Sequence, residues 1–367
     1  MTRVGLAIAA LGAAALTVAW ALPGSGSPGP QPRAVPPDLT ARQLAGQRIV
    51  CGFAGRSAPS GLVQAIGAGE VGGVILFGRN VSSRAQVRSL TTALQGTQRP
   101  AGLRDPLIVS IDQEGGQVKR LPGPPKMSAA AMGRRGAALG RRQGAATGAS
   151  LAGVGINVDL APVLDVARPR GFIAEQRRGF ASKPARVAAV GVAFARGLQG
   201  VGVAATAKHF PGLGSTAANT DLRPSRIALE ARKLRRVDEA PYRRFAAAGG
   251  KLVMVSSARY PRLGAGKVPA SQSPRIVTDE LRGRVGFTGV TISDSLEAPG
   301  ATAGAGPAKV ALRAARAGID LLLYVHCDAA AKAAGVLANA LETGRLDRAA
   351  FETSVERVLA LRATLSP

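Results

Sequence analysis

With 367 residues, 46% of them hydrophobic and only 4% aromatic, the chain can build a sizeable core from Val, Leu, Ile and Ala rather than from large rings. Its net charge of +26 comes mostly from arginine spread along the sequence, without the basic runs and interleaved aromatics of a nucleic-acid groove, so no nucleic-acid partner is expected. Two histidines and two cysteines show no metal-ligand spacing and make no disulfide scaffold; the sequence leaves open whether Cys51 and Cys327 pair.

In chain order, Arg3 precedes an apolar stretch, Val4–Leu22, in which Ala19-Trp20-Ala21 offers a small-x-small cleavage site. Residues 1–22 therefore read as an export signal, with an uncleaved membrane anchor as the rival reading. No cysteine follows directly, which argues against a lipid-anchored form. Residues 23–38 are a Gly/Ser/Pro-rich linker, and 39–367 read as one extracytoplasmic domain. Leu39–Gly46 is the first expected helix, with Thr40 as its N-cap.

From there short apolar runs alternate with longer amphipathic or Ala-rich stretches. The runs are Gly73–Phe77, Leu107–Ile111, Ile156–Leu160, Val203–Ala207, Leu252–Val255, Val290–Ser293 and Ile319–Val325. Helices fit between them at Ser83–Gln95, Ala185–Gln199, Pro307–Ala317 and Ala329–Leu341. Strand-helix alternation implies a parallel sheet with right-handed crossovers. Seven strands, with Val268–Ser271 as a weak eighth, predict a single α/β domain folded as a closed (β/α)₈ TIM-type barrel.

Polar residues collect at or just after the strand ends, where a barrel places its ligand site. Asp112 and Arg120 follow the second run, Asp159 and Asp165 belong to the third, Lys208-His209 ends the fourth, and Asp294 lies between Ser293 and Ser295 after Val290–Ser293. A carboxylate held by flanking serines suits attack on an anomeric carbon, although it also suits a helix N-cap. Asp112, Arg120, Arg178, Lys208 and His209 are donors and acceptors of the kind that grip sugar hydroxyls, and singly each also reads as a surface charge. Gly212 and Gly214 are turn glycines around Pro211 and no nucleotide fingerprint, so no cofactor is expected.

The motifs IDQEGGQVKRL (Ile111–Leu121), INVDLAPVLDV (Ile156–Val166), RGFASKP (Arg178–Pro184), AKHFPGLG (Ala207–Gly214) and PRIVTDELRGRVGFTGVTISDSL (Pro274–Leu296) resemble the glycoside hydrolase family 3 barrel, specifically its single-domain β-N-acetylglucosaminidase branch. The resemblance runs from about Leu39 to Leu361. It implies that Asp294 is the nucleophile of a retaining glycosidase acting on terminal β-linked N-acetylhexosamine of cell-wall glycan. It further implies that Asp112, Arg120, Arg178, Lys208 and His209 bind the innermost sugar. The two-domain β-glucosidases of the family draw groups from a second domain that these residues do not include. A monomer that acts on a carbohydrate partner, either secreted or tethered by residues 1–22, is the expectation.

One motif departs from that branch. The loop after the Lys-His-Phe-Pro turn normally carries Asp-Ser-His, whose histidine is the general acid/base. Here the tripeptide is Asn219-Thr220-Asp221, and the turn histidine is Leu213. Three readings stand: Asp221 takes over as the acid/base; the chain is a weak or inactive glycan-binding relative; or His326, after the last strand, supplies the proton.

Overall fold

The computed structural model describes residues 1–2 and 33–367, so the expected signal and most of the linker lie outside the described residues. Among the described residues no helix is long and apolar enough to cross a membrane. Eight parallel strands form the barrel: β1 (Ile49–Cys51), β2 (Gly73–Leu76), β3 (Ile108–Ile111), β4 (Val158–Asp159), β5 (Ala204–Phe210), β6 (Leu252–Val255), β7 (Val290–Ser293) and β8 (Leu322–Tyr324). β1 pairs with β8 through Ile49↔Leu322, and the bridge Ile292↔Leu321 brings β7 against β8, so the sheet closes on itself.

The first strand corrects the sequence reading. Val268–Ser271 is no strand: Pro269 lacks an N–H for a ladder, and Ala270–Gln272 forms a 3₁₀ turn instead. Ile49–Cys51 supplies the missing strand, too short to stand out beside the helix Ala41–Gln47 that feeds it. That helix begins where Thr40 and Gln43 form a reciprocal capping box. The fourth run is also longer than its apolar part, because β5 extends through Lys208 and His209 to Phe210.

Inside the barrel, Val50, Ile108, Val158, Leu252, Val290 and Ile292 pack in one cluster, joined from below by Val358 and Leu361 of the helix Arg348–Arg362. That helix closes the N-terminal end of the barrel. Its buried Arg362 donates to the carbonyls of Leu103, Asp105 and Pro106 at 2.9, 2.6 and 3.0 Å. The opposite, C-terminal end stays open, with one wall tied by a disulfide between Cys51 and Cys327 at a Cα–Cα distance of 5.0 Å.

Candidate active site

The strand ends open into a cavity of about 300 Å³, at the small end of the range for ligand pockets. Its floor is aliphatic, from Ile75, Leu160, Met254 and Leu323. Its walls bring together the seven residues expected as nucleophile, acid/base aspartate and sugar contacts: Asp112, Arg120, Arg178, Lys208, His209, Asp221 and Asp294.

One side is a preorganised charge cluster. Lys208 Nζ lies 2.6 Å from Asp112 Oδ1 and 2.8 Å from Glu114 Oε1. Arg178 grips Glu114 in bidentate fashion, with Nε to Oε2 at 2.8 Å and Nη2 to Oε1 at 2.7 Å. Burial works against every charge here, yet Lys208 and Arg178 hold the Glu114 carboxyl down at about 2, while Asp112 and Glu114 hold Lys208 up at about 12. The ions therefore stay charged without solvent and keep fixed positions. Arg120 reaches Asp112 more loosely, at 3.7 Å, leaving its guanidinium half-open to the cavity.

Glu114 lies beyond the sequence reading, which stops at Asp112. A signal for it exists: in an extended Asp-Gln-Glu run, residues two apart share a face, and Asp112 faces the site. Gln113, on the other face, instead folds the segment, accepting the N–H groups of Arg120 and Leu121 and donating to the carbonyls of Leu121 and Pro124.

His209 is held from behind by Asp165, which is fully buried. The Asp165 carboxylate faces His209 Nδ1 at 2.7 Å and accepts the backbone N–H groups of His209 and Leu213 at 3.2 and 2.6 Å. With Nδ1 turned to Asp165, Nε2 is the ring nitrogen left to the cavity. The turn that follows is tight because Gly214 lies on the carbonyl of Val166, where a Cβ would come within 2.0 Å, and because Tyr260 Oη ties Gly212 O at 3.0 Å.

Asp159 sits below this cluster, with no exposed surface. Burial pushes its carboxyl up to about 8 against the opposing hydrogen bond from Gln113 N–H, so at neutral pH it is mostly a neutral acid. It lies among Asp112, Glu114 and Lys208 but is not among the residues that line the cavity.

The other side of the cavity carries Asp294 and Asp221. Asp294 follows β7, and its Oδ1 accepts the N–H of Ser295 at 2.8 Å. The expected serine hydroxyl contacts are not made: Ser293 Oγ accepts Leu323 N–H at 3.0 Å, because alternate strand residues point away from the site, and Ser295 Oγ is buried without a partner. Asp221 projects from the segment 215–226, which is clasped at its base by Thr216 and Ser225 (Oγ1 to Oγ, 2.6 Å) and pinned by Gly300 N–H on Thr220 O at 3.0 Å. Asn219 supplies turn chemistry, accepting Asp221 N–H through Oδ1 at 3.0 Å and thereby presenting the next carboxylate. The negative charge of Asp294, aided by desolvation, pushes the Asp221 carboxyl up to about 6.

His326 is not part of this cavity. It is exposed, its Nδ1 is 2.9 Å from Glu297 Oε1, and it borders a separate cavity of about 470 Å³ beside the disulfide. The reading that made it the proton donor is corrected accordingly: β8 ends at Tyr324, Val325 turns toward the site, and His326 turns away.

Among known proteins, the model of the glycosyl hydrolase family 3 N terminal domain matches residues 54–361. An uncharacterized secreted glycosyl hydrolase of Arthroderma benhamiae is 38% identical over 331 residues, which is 88% of this chain and 93% of that protein. The structure of a glycoside hydrolase family 3 β-N-acetylglucosaminidase from Paenibacillus sp. str. FPU-7 superposes with a TM-score of 0.82 at 35% identity, over 89% of this chain. The present chain spans only 63% of that protein's length. A β-N-acetylhexosaminidase from Beutenbergia cavernae DSM 12333 gives a TM-score of 0.80 at 32% identity, with 89% of this chain and 99% of that one covered.

Proposed function

Since the chain belongs to glycosyl hydrolase family 3, we propose that its cavity cleaves terminal β-linked N-acetylglucosamine from glycans with retention of configuration, and that its substrates are cell-wall fragments reached after export. The observation that carries this reading is the pairing of Asp294 with Asp221 across one small cavity, the first carboxylate raising the second toward neutrality. Two carboxyl groups with separated proton affinities are what a retaining glycosidase requires.

In this reading Asp294 attacks the anomeric carbon and forms a glycosyl ester. Asp221, protonated below about pH 6, gives its proton to the departing glycosidic oxygen. Asp221 leaves that step as a carboxylate. Because esterified Asp294 no longer carries the charge that raised it, Asp221 stays ionised and takes a proton from the incoming water as the water oxygen bonds to the anomeric carbon and displaces Asp294. The same electrostatic coupling thus serves both half-reactions. Asp112, Arg120, Arg178, Lys208 and His209 hold the sugar hydroxyls, Glu114 and Asp165 position those side chains, and the aliphatic floor shields the reacting bond from bulk water.

The test is turnover of a chromogenic β-N-acetylglucosaminide beside the matching glucoside. Wild type is expected to prefer the N-acetylated substrate, and Asp294→Ala to lose activity by about a thousandfold or more, since Asp112 is tied to Lys208 and Asp221 serves as the acid in this reading. Equal activity of wild type and Asp294→Ala would remove the proposed nucleophile. A second reading, a sugar-holding barrel without turnover, draws on the exposure of Asp221, which leaves its proton affinity open to solvent screening.

A further inference from the structure

One side of the helical ring combines exposed arginines with helices that carry no exposed acid. The neighbouring helices Ala137–Ala152 and Pro184–Gln199 contain no Asp or Glu at all, and neither does Arg84–Gly96, whose Arg84 and Arg88 bond the end of Ala137–Ala152. Next around the ring, the segment 231–247 holds two acids, Asp238 and Glu239, and both are fully buried. Its junction to Pro184–Gln199 is fixed by Gln199, which donates to Gly249 O at 3.0 Å and accepts Lys251 N–H at 3.1 Å.

The solvent face left by these helices presents Arg141, Arg142, Arg196, Arg232, Arg236 and Arg244, all exposed, and among the described residues none of the six has a carboxylate partner. Close packing brings the first three together. A Cβ on Gly197 would lie 2.3 Å from the carbonyl of Arg141, so the two helix backbones touch beside Arg196. The C-terminal helix Arg348–Arg362 is built differently: Glu352 and Glu356 intersperse its arginines, and Arg348 pairs with Glu352 at 2.8 Å. Like charges gathered without counter-charges repel one another, and a bound polyanion would relieve that repulsion while releasing its own counterions.

We propose that this arginine face docks a polyanionic glycan, a polymer carrying regular carboxylates or phosphodiesters. The face lies on the side wall of the barrel, so the polymer would hold the protein while the cavity at the strand ends stays open. Only Val201 stands out there as an exposed large apolar residue, too little for insertion into a membrane, and the aromatic platforms used for single-stranded nucleic acid are missing from the six-arginine surface. The choice of a glycan among polyanions rests on the reading of the cavity given above.

The test is binding of the full chain to immobilised polygalacturonate and to purified teichoic acid, with neutral dextran, phosphatidylglycerol vesicles and duplex DNA as comparators, across a salt series. Binding to at least one anionic polysaccharide is expected, steeply weakened by salt. The triple variant Arg141→Gln, Arg142→Gln, Arg196→Gln should lose roughly tenfold or more in affinity and show a shallower salt dependence. A control triple with the same charge change elsewhere, Lys309→Gln, Arg316→Gln, Lys332→Gln, should bind within about twofold of wild type. Equal losses in the two triples, tighter binding to vesicles or DNA, or no binding to either polysaccharide would each overturn the proposal. Hydrolysis of the small chromogenic substrate, read in parallel, keeps the two ideas apart: polymer binding without turnover sinks the enzyme reading alone, and turnover without polymer binding sinks the docking face alone.

Discussion

At the scale of single residues, the site is a set of carboxyl groups whose surroundings pull them apart. Glu114 is held charged by two cations, Asp159 is kept neutral by burial, and Asp221 lies between them, raised to about 6 by a like charge. Asp159 yields a prediction independent of catalysis. Its folded proton affinity, about 8, stands far above the unfolded value of 3.8, so the folded state holds a proton that the unfolded chain releases. The contribution of this group to stability is then fully present below about pH 4 and is lost as the pH rises toward 8. Asp159→Asn keeps the oxygen that accepts Gln113 N–H but cannot ionise. The melting temperature of this variant relative to wild type should climb steadily between pH 4 and pH 8, and a constant offset would show that Asp159 ionises freely in the fold. Most of these residues are legible in the sequence because they follow apolar runs. Asp165 is legible among them, although its hold on His209 is not, and Glu114 is missed despite sharing a face with Asp112, because its contacts with Lys208 and Arg178 join distant parts of the chain.

At the scale of elements, legibility follows pattern. The run Val290–Ser293 and the helices near Ser83–Gln95 and Ala185–Gln199 have clear periodicity, and they occur within a residue or two of their expected positions. The helix Ala137–Ala152 is absent from the expected set because glycine punctuates it, yet those glycines are what its packing demands: at Gly144 a Cβ would meet Phe194 O at 2.1 Å. The loop after β7 likewise takes its shape from distant parts of the chain. Glu297, three residues beyond Asp294, accepts His326 N–H at 2.9 Å and also bonds Val325 N, while Cys327 is tied to Cys51 at the end of β1. The segment behind the proposed nucleophile is thereby anchored to two neighbouring strands. Glu297→Ala should lower kcat by roughly ten- to a hundredfold with KM changed far less, because it touches no substrate and only the placement of Asp294 is disturbed. An unchanged kcat in steady-state kinetics would show that the loop holds its shape without this clamp.

At the scale of the whole molecule, high positive charge and a closed barrel are partly one fact. Ten of the chain's acids lie in the interior or line the cavity, among them Asp320, which has no exposure and accepts from Arg282 at 2.6 Å, Arg357 at 3.0 Å and Thr291 N–H at 2.8 Å. Arg48, also buried, stacks on Phe351 at 4.0 Å and donates to Asp320 O, so the closed end of the barrel is sewn by guanidinium groups. Composition shows the arginines but not which are internal; that depends on chain closure. Asp320→Ala would strand two guanidiniums and a backbone N–H, and should cost about 3–5 kcal/mol in denaturant unfolding, with a loss below about 1 kcal/mol contradicting the sewn end. What the closed barrel then does turns on Asp221. The most direct measurement is hydrolysis of a natural N-acetylglucosamine disaccharide and of an activated aryl N-acetylglucosaminide by wild type and Asp221→Asn across pH. Wild type should cleave both, with disaccharide turnover falling as pH rises through about 6. Asp221→Asn should lose about a hundredfold or more on the disaccharide, much less on the aryl substrate that needs little protonation, and the limb near pH 6. Equal losses on both substrates, or a wild type that binds the sugar and cleaves neither, would contradict the account.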